Sequence, residues 1–159
     1  MKLHKIEISY TEIESIDELS NEDAYLVAKS REVANNAWAP YSNFLVGAAV
    51  ELSNGKIITG NNQENAAYPS GLCAERVALF AANANYPNSK VKTIAISAFN
   101  KNGHVAEPVK PCGSCRQALL EAEIRFDHPI RLILDGKNRI IIVDGIKNLL
   151  PLSFGKDDL

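Results

Sequence analysis

Residues 74–99, AERVALFAANANYPNSKVKTIAISAF, decide the fold. The first half, Ala74 to Ala84, has the alanine-rich pattern of a buried helix, since alanine carries the highest helix propensity and lets a helix approach its neighbours closely. The second half, Val91 to Phe99, is a β-branched run, as expected of a central strand. A helix leading into a central strand makes the chain an α/β protein.

Toward the N-terminus, residues 61–71 form a polar loop, preceded by two apolar runs, Phe44 to Leu52 and Lys56 to Asn61. Ser53-Asn54-Gly55 joins these runs and reads as a tight turn, with Asn-Gly supplying positive φ angles, so the pair is an antiparallel hairpin. Ser20 followed by Asn21, Glu22 and Asp23 reads as a capped helix start. Leu26, Val27, Ser30, Val33, Ala34 and Ala37 then follow at helical spacing up to Trp38, and Ala39 to Asn43 breaks the helix. Residues 4–13 alternate, with Ile6, Ile8 and Tyr10 on one side, and read either as a strand or as an extended arm. Toward the C-terminus, Cys115 to Glu123 reads as a helix. Ile130 to Leu134 and Arg139 to Val143 flank the turn Asp135-Gly136-Lys137-Asn138, and a helical turn through Ile146 to Leu149 stops at Pro151. The order hairpin, helix, strand, helix, hairpin predicts a mixed five-stranded sheet sandwiched by helices.

With 159 residues, 46% of them hydrophobic, the chain can bury one sizeable core, and a single domain over residues 1–159 is expected. A net charge of −2 and the absence of clustered Lys and Arg make a polynucleotide a poor partner. Charged residues near Met1 and the lack of a run of about eighteen apolar residues predict a cytoplasmic protein without membrane association. Cys73, Cys112 and Cys115 cannot all pair, and in a reducing compartment a metal is their natural occupant.

Cys112-Gly113-Ser114-Cys115 is a Cys-x-x-Cys unit at a predicted helix start, where the helix dipole favours thiolate over thiol. Cys73 opens the other predicted helix. Two helices lying side by side would bring three sulfurs to one point and leave a fourth zinc position for water. Glu75, two residues after Cys73, is then placed beside the metal as a general base, and Arg76 offsets the negative charge of three thiolates. Two other readings stand at this point: a redox dithiol, and a closed structural zinc site with His4, His104 or His128 as fourth ligand.

Cys73-Ala74-Glu75-Arg76 and Pro111-Cys112-Gly113-Ser114-Cys115-Arg116-Gln117 resemble the paired signature of the cytidine deaminase family, whose zinc chemistry is known in a three-cysteine form. Pro40 to Ala49 and Gly60 to Tyr68 resemble the family's substrate-side motifs, and the similarity spans about residues 24–155. Pro69-Ser70-Gly71-Leu72 departs from the pattern, and the first twenty residues form an N-terminal extension. The resemblance implies a cytidine deaminase-like three-layer fold with one Zn²⁺ per subunit, held by Cys73, Cys112 and Cys115, and Glu75 as the acid-base residue. It implies further that Asn62 and Glu64 bond the sugar hydroxyls, that Phe44 stacks on the base, and that Ala74 lines the substrate site. Phe154 would reach the site of a neighbouring subunit in a homotetramer. The implied reaction is hydrolytic deamination of cytidine and deoxycytidine in pyrimidine salvage. Rival readings are a deaminase of a modified or antibiotic nucleoside, a polynucleotide deaminase, and a non-catalytic zinc-stabilised module.

Overall fold

The computed structural model describes residues 1–159. Its centre is β4 (Val91–Asn100), flanked by β2 (Leu45–Leu52) in antiparallel and β6 (Arg131–Asp135) in parallel orientation. Outside these lie β3 (Ile57–Asn61) and β7 (Ile140–Asp144), each closing an antiparallel hairpin. These are the five strands expected. The sheet nevertheless has seven, because β1 (Thr11–Ile13) pairs with β7 at one edge and β5 (Gly103–His104) folds back on the end of β4. Of the alternating N-terminal stretch only Thr11 to Ile13 joins the sheet, and residues 1–10 are exposed and in no helix or strand.

Strand alternation sorts the core into two layers. Ile94, Ile96, Leu132 and Leu134 face α2 (Ala74–Asn85) and α3 (Gly113–Phe126), whereas Ala95 and Ile133 face α1 (Asn21–Ala34). Helix α3 is the crossover between the parallel strands β4 and β6. The result is three layers, α1, sheet, then α2 with α3.

Helix α1 begins as expected, with Ser20 Oγ accepting from Asp23 N at 3.1 Å, but ends at Ala34, short of Trp38. Trp38 N instead donates to Asn62 O, and Glu64 N donates to Trp38 O, tying the segment to the polar loop after β3. Glycine is required where helices lie closest to the sheet. A Cβ on Gly47 would stand 2.0 Å from Ser30 O of α1, and one on Gly60 2.5 Å from Ala78 N of α2. In the β2–β3 turn only Gly55, at φ +79°, takes the left-handed conformation, so one residue supplies what was expected of the Asn-Gly pair.

Asp135, at the end of β6, is fully buried and accepts from Arg31 Nε and Nη2 of α1, both at 2.7 Å, and from Ser97 Oγ at 2.6 Å. Ser30 Oγ lies 2.6 Å from Ser97 Oγ. A buried carboxylate is tolerable only with such partners, and these pin α1 to the parallel pair. No helix is long and apolar enough to cross a membrane.

Candidate metal centre and active site

Cys73 and Cys112 occupy the N-cap positions of α2 and α3, and neither caps its helix through a side-chain hydrogen bond. Where serine, threonine or aspartate would satisfy the first amides, a sulfur stands instead. The two helices pack side by side on one face of the sheet, which brings their N-termini together. Cys73 Sγ lies 3.8 Å from Cys112 Sγ, Cys112 Sγ lies 3.5 Å from Cys115 Sγ, and all three sulfurs fall within 4.8 Å of one another. Zinc–sulfur bonds of about 2.3 Å in a tetrahedron require sulfurs about 3.8 Å apart, so the donor set fits zinc. No histidine belongs to the cluster. His104 lies elsewhere, with Nε2 3.1 Å from Asp135 Oδ2, so three sulfurs stand without a fourth protein ligand.

The Cys115 thiol beside it and, against the penalty of burial, the Arg76 guanidinium draw the Cys73 thiol down to about 5. Arg76 Nη2 stands 4.0 Å from Cys73 Sγ, which gives the cluster one cation against its thiolates. Cys115, next to Cys73 and fully buried, is pushed up. The cluster therefore favours a thiolate beside the Arg76 guanidinium, which suits a cationic occupant.

Glu75 is in the first turn of α2 and only 5% exposed. Burial above all pushes its carboxyl above the ordinary 4.5, with the Cys73 charge adding to the shift. A carboxyl raised in this way holds a proton more readily than an exposed one and so is better suited to take up and return one.

An open cleft of about 610 Å³ adjoins the cluster, lined by Cys73 and Arg76 together with Tyr41, Ser42, Asn62 and Glu64. Its volume suits a small organic molecule. Asn62 Oδ1 accepts from Val46 N at 2.7 Å, and its Nδ2 donates to Phe44 O at 2.9 Å, which fixes the amide's orientation. Glu64 is held by the segment before β2: Tyr41 N and Ser42 N donate to Oε2 at 2.9 and 3.2 Å, and Ser42 Oγ donates to Oε1 at 2.5 Å. These donors, Ser42 Oγ first, hold the Glu64 carboxyl below its ordinary value.

Of the residues singled out in the sequence, the cleft wall includes Asn62, Glu64, Cys73 and Arg76 but not Phe44, Ala74, Glu75, Cys112, Cys115 or Phe154. Phe44 touches the site through its backbone, bonded to Asn62 and Ser42. Ala74 is buried beneath, in the core shared by α2 and the sheet. Phe154 lies on the outside of α3, where Gln117 Nε2 donates to its carbonyl at 3.0 Å and its side chain is exposed. Tyr41, Ser42 and Tyr68, which fall within the two substrate-side motifs but carry no individual role in the sequence reading, also line the cleft. A serine two residues before Phe44 is the pattern of a side-chain turn, and that was the one local signal available for Ser42.

The family model of the cytidine and deoxycytidylate deaminase zinc-binding region matches residues 20–126. The cytidine deaminase of Mycobacterium tuberculosis is 36% identical over 137 residues, which cover 84% of this chain and 90% of that protein. The cytidine deaminase of Halalkalibacterium halodurans is 40% identical over 134 residues, covering 84% and 95%. Among solved structures, a cytidine deaminase from Burkholderia pseudomallei superposes with a TM-score of 0.71 at 31% identity, covering 86% of this chain and 100% of that one. One from Bacillus anthracis, 20% identical with a TM-score of 0.64, repeats the fold. Three layers around a mixed sheet, three sulfurs at adjoining helix starts and a buried carboxylate beside them define the class of zinc-dependent deaminases. Within that class, the chain belongs to the cytidine and deoxycytidylate deaminase family.

Proposed function

We propose that this chain hydrolyses cytidine and deoxycytidine to uridine and deoxyuridine, releasing ammonia, with one Zn²⁺ per subunit held by Cys73, Cys112 and Cys115. The observation that carries this reading is Glu75, a buried carboxyl two residues from one sulfur of a cluster with no fourth protein ligand. Bound zinc supplies the Lewis acidity that makes water a nucleophile near neutral pH. Glu75 accepts a proton from the attacking water as oxygen bonds to C4 of the pyrimidine and passes it to N3. It then carries the water's second proton to the departing nitrogen, which leaves as ammonia while the C4 carbonyl forms. Water and the substrate amine thus balance against the product carbonyl and ammonia, with one carboxyl serving both directions. Arg76 offsets the charge of the thiolates and keeps them from quenching that acidity.

Sugar recognition belongs to Asn62 and Glu64. An ionised carboxylate has about four acceptor positions, and three donors already fill three of those on Glu64. Asn62 spends one amide proton on Phe44 O and keeps the other. One free acceptor and one free donor complement a single hydroxyl, which supports acceptance of both ribose and deoxyribose and rejection of the free base.

The wider reading has the first twenty residues as an extension of a single domain and a cytoplasmic setting that keeps the thiols reduced, with pyrimidine salvage as the use. It also has a homotetramer in which Phe44 stacks on the base, Ala74 lines the site and Phe154 enters a neighbour's cleft. The exposed Trp38, Tyr41 and Tyr68 support such burial between subunits, because aromatic surface of this kind marks interfaces.

The test is the ultraviolet absorbance of cytidine, deoxycytidine and cytosine over time with zinc-loaded protein, run beside Glu75→Gln. Wild type should convert both nucleosides and not the free base, and the variant should keep its zinc and lose ~10² to 10⁴ in rate. Near-normal turnover by Glu75→Gln would remove the acid-base assignment. No turnover by the zinc-loaded wild type would leave a modified-nucleoside or non-catalytic reading.

A further inference from the structure

Ser42 stands at a crossing of hydrogen bonds to which cytidine chemistry by itself assigns no role. Its Oγ is 2.5 Å from Glu64 Oε1 and 3.0 Å from Phe44 N. An amide N–H can only donate, so Phe44 N takes a lone pair of the hydroxyl, and the one hydroxyl proton is left to point at Glu64. Asn43, between them, adopts φ +54°, a left-handed conformation that asparagine tolerates better than most residues, and this turn brings the Phe44 amide back over Ser42.

The three donors on Glu64 are not equivalent. Tyr41 N and Ser42 N both bond Oε2. Ser42 Oγ is the single contact on Oε1, the oxygen that keeps a free acceptor position. Without it, the carboxylate can swing about Oε2 and turn that free position away from Asn62 and the cleft. Asn62 needs no such help, because Val46 N and Phe44 O fix both ends of its amide.

We propose that Ser42 is a positioning residue for sugar selection: its hydroxyl anchors Glu64 Oε1 so that the remaining acceptor position receives one hydroxyl of the nucleoside. This rests on the proposed contact between Glu64 and the sugar. The Ser42 hydroxyl bonds Glu64 and the Phe44 amide and no member of the sulfur cluster, so its effect falls on binding of the sugar and not on the chemical step.

The experiment is steady-state kinetics of zinc-loaded wild type, Ser42→Ala and Ser42→Thr on cytidine and on 2′,3′-dideoxycytidine, which lacks both ring hydroxyls. Wild type should prefer cytidine. Ser42→Ala should lose about tenfold in kcat/KM on cytidine, carried by KM with kcat held, the signature of lost ground-state binding. The same variant should turn over dideoxycytidine as wild type does, and Ser42→Thr, which keeps the hydroxyl, should restore most of the cytidine loss. An equal loss on both substrates, no loss on either, or failure of threonine to restore the loss would overturn the proposal for Ser42 while leaving the sugar contact of Glu64 standing. Equal use of the two substrates by wild type would overturn that contact itself, and the role of Ser42 with it.

Discussion

Glu64 keeps its charge because it is surrounded by donors, and that has a consequence for stability. Ser42 Oγ and the Tyr41 and Ser42 amides all favour the ionised form, so the folded pKa lies below the ordinary 4.5. A depressed folded pKa means that the stabilisation is fully present above the unfolded value and is lost as pH falls through the folded one. Glu64→Gln, which faces two backbone donors with an amide, should therefore melt below wild type at pH 7, and the gap should close as the pH is taken down through the carboxylate range. Melting curves of both proteins across that range check it, and a gap independent of pH would show that ionisation of Glu64 contributes nothing. At this scale the sulfur cluster was legible in the sequence, because Cys112 and Cys115 stand three positions apart and Cys73 and Cys112 each open a recognisable helix, so that two helices packed side by side bring the sulfurs together. Ser42 was not, since its bond to Glu64 spans 22 positions and no local pattern encodes such a partner. Phe44 and Phe154 read as aromatic site residues, yet neither lines the cleft of its own chain.

Helices in this fold are placed by what the sheet omits. Gly47 of β2 and Gly60 of β3 stand one cross-strand step apart, and their missing side chains admit α1 on one face and α2 on the other. Since α2 carries Cys73 and Glu75, Gly60 sets the depth of the metal centre, whereas Gly47 sets only the opposite layer. Gly47→Ala would drive a methyl to 2.0 Å from Ser30 O and 2.7 Å from Ala34 N, both backbone atoms of α1, and the helix would have to shift. Overpacking of this kind costs about 1–3 kcal/mol or more, enough to lower the melting temperature of a chain this size by several degrees, or about 2–4 °C per kcal/mol. Thermal denaturation measures the loss, and an unchanged melting temperature would mean that α1 is free to move outward. The main strands and helices were legible because their apolar runs are long. The two short strands were not: β1 is held by pairing with β7, and β5 owes its two residues to the turn at Lys101-Asn102, after which Gly103 adopts φ +91°. Trp38 likewise continued a helical pattern in the sequence, but its backbone is taken by Asn62 and Glu64, and a tertiary pairing overrides the local preference.

For the whole molecule, the position of the C-terminal segment bears on how many chains make one site. Arg116 Nη1 donates to Leu149 O at 2.7 Å and Gln117 Nε2 donates to Phe154 O at 3.0 Å, so the two residues after Cys115 hold the tail against the outer surface of α3. Leu152, within that tail, takes φ +54° and is 93% exposed, and Phe154 is 60% exposed. Apolar side chains displayed on a segment that is itself anchored are poorly explained by the isolated chain and well explained by burial against a second copy. If Phe154 completes a neighbour's cleft, Phe154→Ala should retain zinc and melting temperature while losing about tenfold or more in kcat/KM, within the range for an aromatic contact. Mixing separates the two arrangements. Glu75→Gln and Phe154→Ala subunits, co-expressed in equal amounts, would combine an intact Glu75 from one chain with an intact Phe154 from another in about one quarter of sites for random assembly. The mixture should then recover about a quarter of wild-type activity, well above either parent. Activity no greater than the average of the parents would place Phe154 in the service of its own chain, and a monomeric mass in sedimentation would remove the shared site altogether.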